Sequence, residues 1–223
     1  MKLFKTLTLA VGMAIGVTAA ANASTVTVNY QNAGNVFGSP NLSSSANISS
    51  PQHDGWVGAG PFRLNANGLG DFVAFCIDLG KYMANGQTYT TSSASAWGAA
   101  VDQNIGKLFN TAYAGVDTAT EGAAFQIALW EIITDTGSAF NLGGGSFSVL
   151  SANAAVLSQA SAYLSGLNGA ATGNYAMTFL NSSTSQNLVT VSPVPIPAAG
   201  GFLAVALGGL FGMRKLRRKT ATA

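Results

Sequence analysis

Phe125-Gln126-Ile127-Ala128-Leu129-Trp130-Glu131-Ile132-Ile133 is the stretch around which the chain is organised. Thr118 and Glu121 precede it with the Thr-x-x-Glu spacing of a helix capping box, and Gly137 follows as a stop. The spacing predicts a helix over residues 119–135. At about 100° per residue, Phe125, Leu129, Trp130, Ile132 and Ile133 share one side, while Glu131, Thr134 and Asp135 fall on the other. Gln126 breaks the pattern, because it lies near the middle of the apolar side. A buried amide without partners costs about 1–3 kcal/mol, so Gln126 needs a partner. The candidate is Cys76, the one cysteine in the chain.

The 223 residues carry few charges, and most of the basic ones lie at the ends. Between Ser24 and Pro193 only Arg63, Lys81 and Lys107 face eight acids, a balance of 3 − 8 = −5. The central part is therefore mildly acidic, and the net positive charge of the whole chain gives no reason to expect a nucleic-acid partner. At the start, Lys2 and Lys5 precede an apolar run from Leu7 to Val17, and Ala21-Asn22-Ala23 stands before Ser24. This order predicts a secretory signal peptide over residues 1–23, cut after an Ala-x-Ala site, with an uncleaved anchor as the alternative. In an oxidising compartment a lone cysteine forms no intrachain disulfide. It is a buried thiol, an intermolecular bridge or a reactive group.

At the other end, Val194-Pro195-Ile196-Pro197-Ala198 leads into an apolar run that ends at Met213, followed by Arg214, Lys215, Arg217, Arg218 and Lys219. The two prolines force an extended entry. The apolar run, about residues 198–213, reads as a transmembrane helix that is short beside the usual length of about 20 residues. The basic tail holds the last residues in the cytoplasm and leaves the domain outside. Proline motif, apolar helix and basic end together resemble the PEP-CTERM sorting signal of Gram-negative bacteria, in its variant with a VPLPA-like motif. The resemblance covers residues 193–219. It implies recognition by an exosortase at the membrane, cleavage near the motif, and delivery to the cell surface or the extracellular matrix. Ile196 stands where the family's commonest form has Glu and the variant has Leu, and the chain runs on to Ala223. The alternative is a plain single-span anchor.

The intervening domain, residues 24–192, begins with an alternating β-branched strand over 25–30. Residues 31–52 read as loop with a short strand near 46–48, and 55–64 as one strand kinked at Gly60-Pro61. Residues 71–79 form a strong apolar strand and 87–91 another. Alternation places Phe72, Ala74, Cys76 and Asp78 on one face of the strand over 71–79. Helices are expected over 102–114, 119–135 and 151–167, and a hairpin pairs 175–180 with 186–191. His53, the one histidine, reads as a polar loop residue. Strands, then helices, then strands give an α+β class: a β-sandwich or barrel with a helical insertion, flanked by the signal peptide and the C-terminal transmembrane helix.

Phe75-Cys76-Ile77-Asp78 and Phe125-Gln126-Ile127-Ala128-Leu129-Trp130 together resemble the thioester domains of bacterial surface adhesins. That family pairs a Cys in an aromatic-Cys-aliphatic strand with a Gln in a Gln-x-Ala-aliphatic-Trp helix. The resemblance spans roughly residues 62–133 and implies a cross-link between Cys76 Sγ and the side-chain carbonyl of Gln126, formed with loss of ammonia. The separation, 126 − 76 = 50 residues, is short beside many Gram-positive examples. Phe72, Phe125 and Trp130 are the expected shield against water, and Asp78 or another polar neighbour the expected aid to proton transfer. A thioester so held is a stored electrophile, opened once by an amine- or hydroxyl-bearing target rather than turned over.

Against this stands a buried, unreactive Cys76 with Gln126 bonded to a backbone edge, in a structural component of the extracellular polysaccharide or biofilm matrix. A hydrolase has little support, with one histidine, no paired-carboxylate signature and no metal-ligand cluster in the sequence. Neither cofactor nor metal is expected, and no enzymatic turnover.

Overall fold

The computed structural model describes residues 24–32, 34–137 and 139–194. The expected signal peptide lies outside the described residues. So do Pro195, Ile196, Pro197 and Ala198 of the sorting motif, the apolar run after them, and Arg214, Lys215, Arg217, Arg218 and Lys219. Among the described residues no helix is long and apolar enough to cross a membrane. Val194, the last described residue, is exposed and donates its N–H to Asn174.

The strands are β1 (Thr25–Tyr30), β2 (Ser44–Ser49), β3 (Asp54–Ala59), β4 (Phe62–Ala66), β5 (Gly70–Cys76), β6 (Gln87–Ser92), β7 (Ser148–Ala152), β8 (Tyr175–Asn181) and β9 (Leu188–Pro193). The helices are α1 (Ala99–Ala112), α2 (Ala119–Thr134) and α3 (Ala154–Ser165), with a 3-10 turn over Tyr113–Gly115. Six strands close an antiparallel barrel in the order β1-β4-β5-β9-β8-β6. The other three form a small sheet, β3-β2-β7. The α+β barrel with a helical insertion is thus the architecture found.

Alternation sorts the barrel side chains. Val28, Leu64, Ala74, Cys76, Tyr89, Leu180 and Leu188 share the inner face and are all buried. The outer face of β5, β9 and β8 offers Phe75, Val189 and Phe179, which are buried too. The helices cover them: Phe75 packs on Phe109 of α1 at 5.9 Å and on Phe125 of α2 at 4.4 Å between ring centroids.

Four expectations are corrected. Residues 55–64 are two strands rather than one kinked strand, and they enter different sheets. Pro61 has no N–H for a ladder, so the chain leaves β3 there and starts β4. The strand over 71–79 stops at Cys76. Residues 148–152 form β7 on the edge of β2, and the third helix starts after Asn153, whose side chain caps it by accepting from Ala155 N–H at 2.9 Å. Finally, α2 has no polar side. Every residue from Gly122 to Ile133 is buried, Glu131 included, because α1, α3 and the β2–β3 hairpin pack around it.

Candidate functional site

The site is built at the end of β5. β4 and β5 pair from Ala66↔Gly70 to Phe62↔Ala74, so β4 begins opposite Ala74. On the other edge of β5, Ile77 N–H donates to Asn187 C=O at 2.9 Å. Successive residues of a strand turn their backbone groups to opposite edges. Cys76 therefore presents its N–H and C=O toward the β4 side, one step beyond the start of β4. Both groups are buried, and no strand is there to meet them.

Gln126 meets them. Cys76 N–H donates to Gln126 Oε1 at 3.0 Å, and Gln126 Nε2 donates to Cys76 C=O at 2.8 Å. The amide takes the place of a further residue of β4, so the polar residue on the apolar helix has both its needs met. It is 1% exposed, as is Cys76. The Gln126 side-chain amide is thus fixed across the backbone of the residue that carries the one thiol of the chain, with its oxygen polarised by that residue's N–H.

Cys76 Sγ donates to the Asp78 carbonyl at 3.2 Å and accepts from Asp78 N–H at 3.4 Å. Burial pushes the thiol up to about 12. The Asp78 backbone and the neighbouring Trp130 indole hold it down in part, and the Asp78 charge adds to the rise. The Asp78 carboxylate itself turns away: Oδ1 accepts from Gly80 N–H at 3.0 Å and Oδ2 pairs with Lys81 Nζ at 3.0 Å. Asp78 meets the thiol through its backbone, since β5 ends at Cys76 and strand alternation no longer applies.

Trp130 lies four residues after Gln126, on the same face of α2. Its indole Nε1 is buried without a hydrogen-bond partner of normal geometry. Trp130 and Cys76 share the wall of a cavity of about 280 Å³. Trp56 and Tyr82, 64% and 82% exposed, stand on the same wall, as do His53 and Lys81. His53 Nε2 is buried there without a partner.

The two other expected shielding residues lie elsewhere. Phe125 packs with Phe75, Phe109, Tyr113 and Tyr163 on the outer side of the barrel, where it docks α2. Phe72 is half-buried opposite Leu64, about 13 Å up the strand from Cys76 at the usual rise per residue. Sequence reading missed His53, Trp56 and Tyr82 at this cavity. The signal available was two large aromatic residues in short polar or glycine-flanked stretches, with no periodicity to bury them.

No family model matches the chain, and no curated protein matches it. Among solved structures the chain is similar to the N-terminal domain of the Streptococcus pyogenes pilus tip adhesin Cpa, at 16% identity and a TM-score of 0.45, over 76% of this chain and 94% of that one.

Proposed function

We propose that the protein is an exported surface or matrix protein that attaches covalently to a partner through a thioester between Cys76 and Gln126. The observation that carries this reading is the reciprocal pair of hydrogen bonds, at 3.0 and 2.8 Å, that fixes the Gln126 amide across the backbone of Cys76. In formation, Cys76 Sγ attacks the Gln126 carbonyl carbon. The carbon–nitrogen bond breaks, and the amide nitrogen leaves as ammonia, taking up one proton for the one the thiol has lost. Cys76 N–H supports the negative charge that develops on Oε1. Bringing Sγ onto that carbon within the same residue pair would supply an effective molarity of about 10⁵ M or more, which is what an unactivated amide needs.

In use, an amine or hydroxyl of the target attacks the same carbon and Sγ leaves as the thiol, so the partner ends acylated by Gln126. The cavity beside Trp130 is the approach route, with Trp56 and Tyr82 as its aromatic mouth. His53 lines that wall with its buried Nε2 free of hydrogen bonds, and in this proposal it takes the proton of the attacking group. The chemistry is spent once per molecule. Sorting by an exosortase through Val194–Ala198 and the basic end belongs to the same proposal and rests on the sequence alone.

A second reading has an observation of its own. Gln126 is held through both its oxygen and its nitrogen as a cap on the β5 edge, and a thiol pushed up to about 12 is a poor nucleophile at neutral pH. In that reading the pair is structural, within an unreactive matrix component. Incubating the full chain with a fluorescent primary amine separates the two. Label mapped to Gln126 in the wild type and absent from Cys76→Ala supports attachment. A folded wild type that takes up no label leaves the structural reading.

A further inference from the structure

The last turn of α2 carries a second group of unusual chemistry, away from Cys76. Glu131 is 0% exposed. Its Oε1 accepts from Asn141 N–H at 2.6 Å, while its Oε2 is buried with no partner. One helical turn on, Asp135 accepts from Ser146 N–H at 2.7 Å and from Phe147 N–H at 3.2 Å. The glycine-rich loop 141–147 is thereby drawn over the helix end. It closes only because Gly145 has no side chain: its φ is +110°, and a Cβ there would overlap Asp135 Oδ2. Glu131 and Asp135 line a cavity of about 390 Å³ whose other walls are oxygen-bearing: Thr134, Thr136, Asn141, Ser146 and glycine backbone.

Two carboxylates so placed gain from a positive charge, and among the described residues none pairs with them. Among the described residues the one ion pair is Lys81 with Asp78. A buried carboxylate oxygen with neither hydrogen bond nor counter-charge is costly to keep ionised. Burial, and then the charge of Asp135, push Glu131 up to about 7, against the Asn141 N–H that holds it down. A bound cation removes the whole difficulty, by pairing Oε2 and by screening the two carboxylates from each other.

We infer that Glu131 and Asp135, with loop 141–147 folded over them, form a binding site for a calcium-class divalent cation. The donor chemistry selects the ion. The described residues hold no cluster of three or more His, Cys, Asp and Glu side chains that suits a metal, so a zinc-type site is not built here. Two carboxylates with neutral hydroxyl, amide and carbonyl oxygens in a flexible glycine loop suit a large hard cation with many oxygen ligands. They suit Mg²⁺ poorly, since it demands near-ideal octahedral geometry and gives up water reluctantly. Only two charged ligands imply a weak site, in the range of about 10⁻⁴–10⁻³ M typical of extracellular modules. The inference does not depend on the thioester.

The test is calorimetric titration and thermal unfolding of the full chain with CaCl₂, beside MgCl₂ and beside NaCl at matched ionic strength. We expect saturable CaCl₂ binding with a rise in Tm, at least tenfold weaker binding of MgCl₂, and at least tenfold loss of CaCl₂ affinity in Glu131→Gln. Should Glu131→Gln fail to fold, Asp135→Asn is the variant read, with the same expected loss. A wild type that shows neither saturable heat nor a Tm shift beyond NaCl, up to about 10 mM CaCl₂, overturns the site. So does unchanged CaCl₂ affinity in a folded variant. Equal binding of MgCl₂ overturns the calcium-class assignment.

Discussion

Gln126 stands where another residue of β4 would stand, and its side chain does two jobs of a backbone. Replacing it with Leu strips Cys76 N–H and C=O of their partners in a dry place. We expect Gln126→Leu to lose about 2–4 kcal/mol of stability in urea unfolding, most of it from the two orphaned groups. Measured against wild type that still carries the Gln126 amide, Cys76→Ala keeps the backbone bonds and removes only a small buried side chain, so it should cost clearly less; equal losses would mean that the amide's bonds matter little. The thiol sets a pH dependence. With Cys76 at about 12 and the thiolate as the attacking form, ammonia loss should quicken about tenfold per pH unit between pH 7 and 9, followed by mass spectrometry on freshly folded protein. A flat profile would show that the proton leaves in the same step as the attack. His53→Ala should slow opening by a hydroxyl compound more than opening by an amine, since the hydroxyl is the weaker nucleophile and needs the base more.

At the scale of the element, α2 is the axle of the molecule. Its start is fixed by a capping box: Glu121 N–H donates to Thr118 Oγ1 at 3.3 Å and Thr118 N–H to Glu121 Oε2 at 3.0 Å. Gly122 lies against the loop before β2, where a Cβ would overlap the Leu42 carbonyl oxygen. Alanine is the better helix former by about 1 kcal/mol, yet overpacking costs about 1–3 kcal/mol. Because backbone cannot yield as a side-chain tip can, Gly122→Ala should destabilise, read as a lower Tm. A higher Tm would mean that the loop moves aside freely. The capping box, the helix and the oddity of Gln126 were legible in the sequence because each is a local pattern. Glu131 was not. Its place on the polar side of a helical wheel assumes one buried face, and three elements pack around this helix instead. Strand β7 was illegible for a related reason: Ser148-Val149-Leu150-Ser151-Ala152 has no strong preference, and the free edge of β2 makes it a strand.

At the scale of the molecule, the described residues build a closed barrel whose connections supply the helices and the small sheet. Five of the six barrel strands were legible to within a few residues, because alternating β-branched runs bounded by glycine and asparagine leave few options, whereas β4 was read as one strand with β3. The cavity beside Cys76 was not. It depends on bringing the β2–β3 hairpin, the turn after β5 and α2 together, which no local pattern encodes. Stability should also follow Glu131. Its folded value, raised to about 7 from 4.5, means that the folded chain holds an extra proton between those values. The contribution is complete below pH 4.5 and is lost as pH rises through about 7. Without divalent cation, Tm should therefore fall across that window, and Glu131→Gln should flatten the fall. CaCl₂ should restore the loss near pH 7, where the carboxylate is free to bind it.

The bond between Cys76 and Gln126 is read in the intact mass of the freshly purified full chain, before and after methylamine and beside Cys76→Ala. A thioester gives a wild-type mass one ammonia below that of the sequence, a gain of one methylamine on treatment, and neither change in Cys76→Ala. A folded wild type at its full mass, with a free thiol and no response to methylamine, would contradict it.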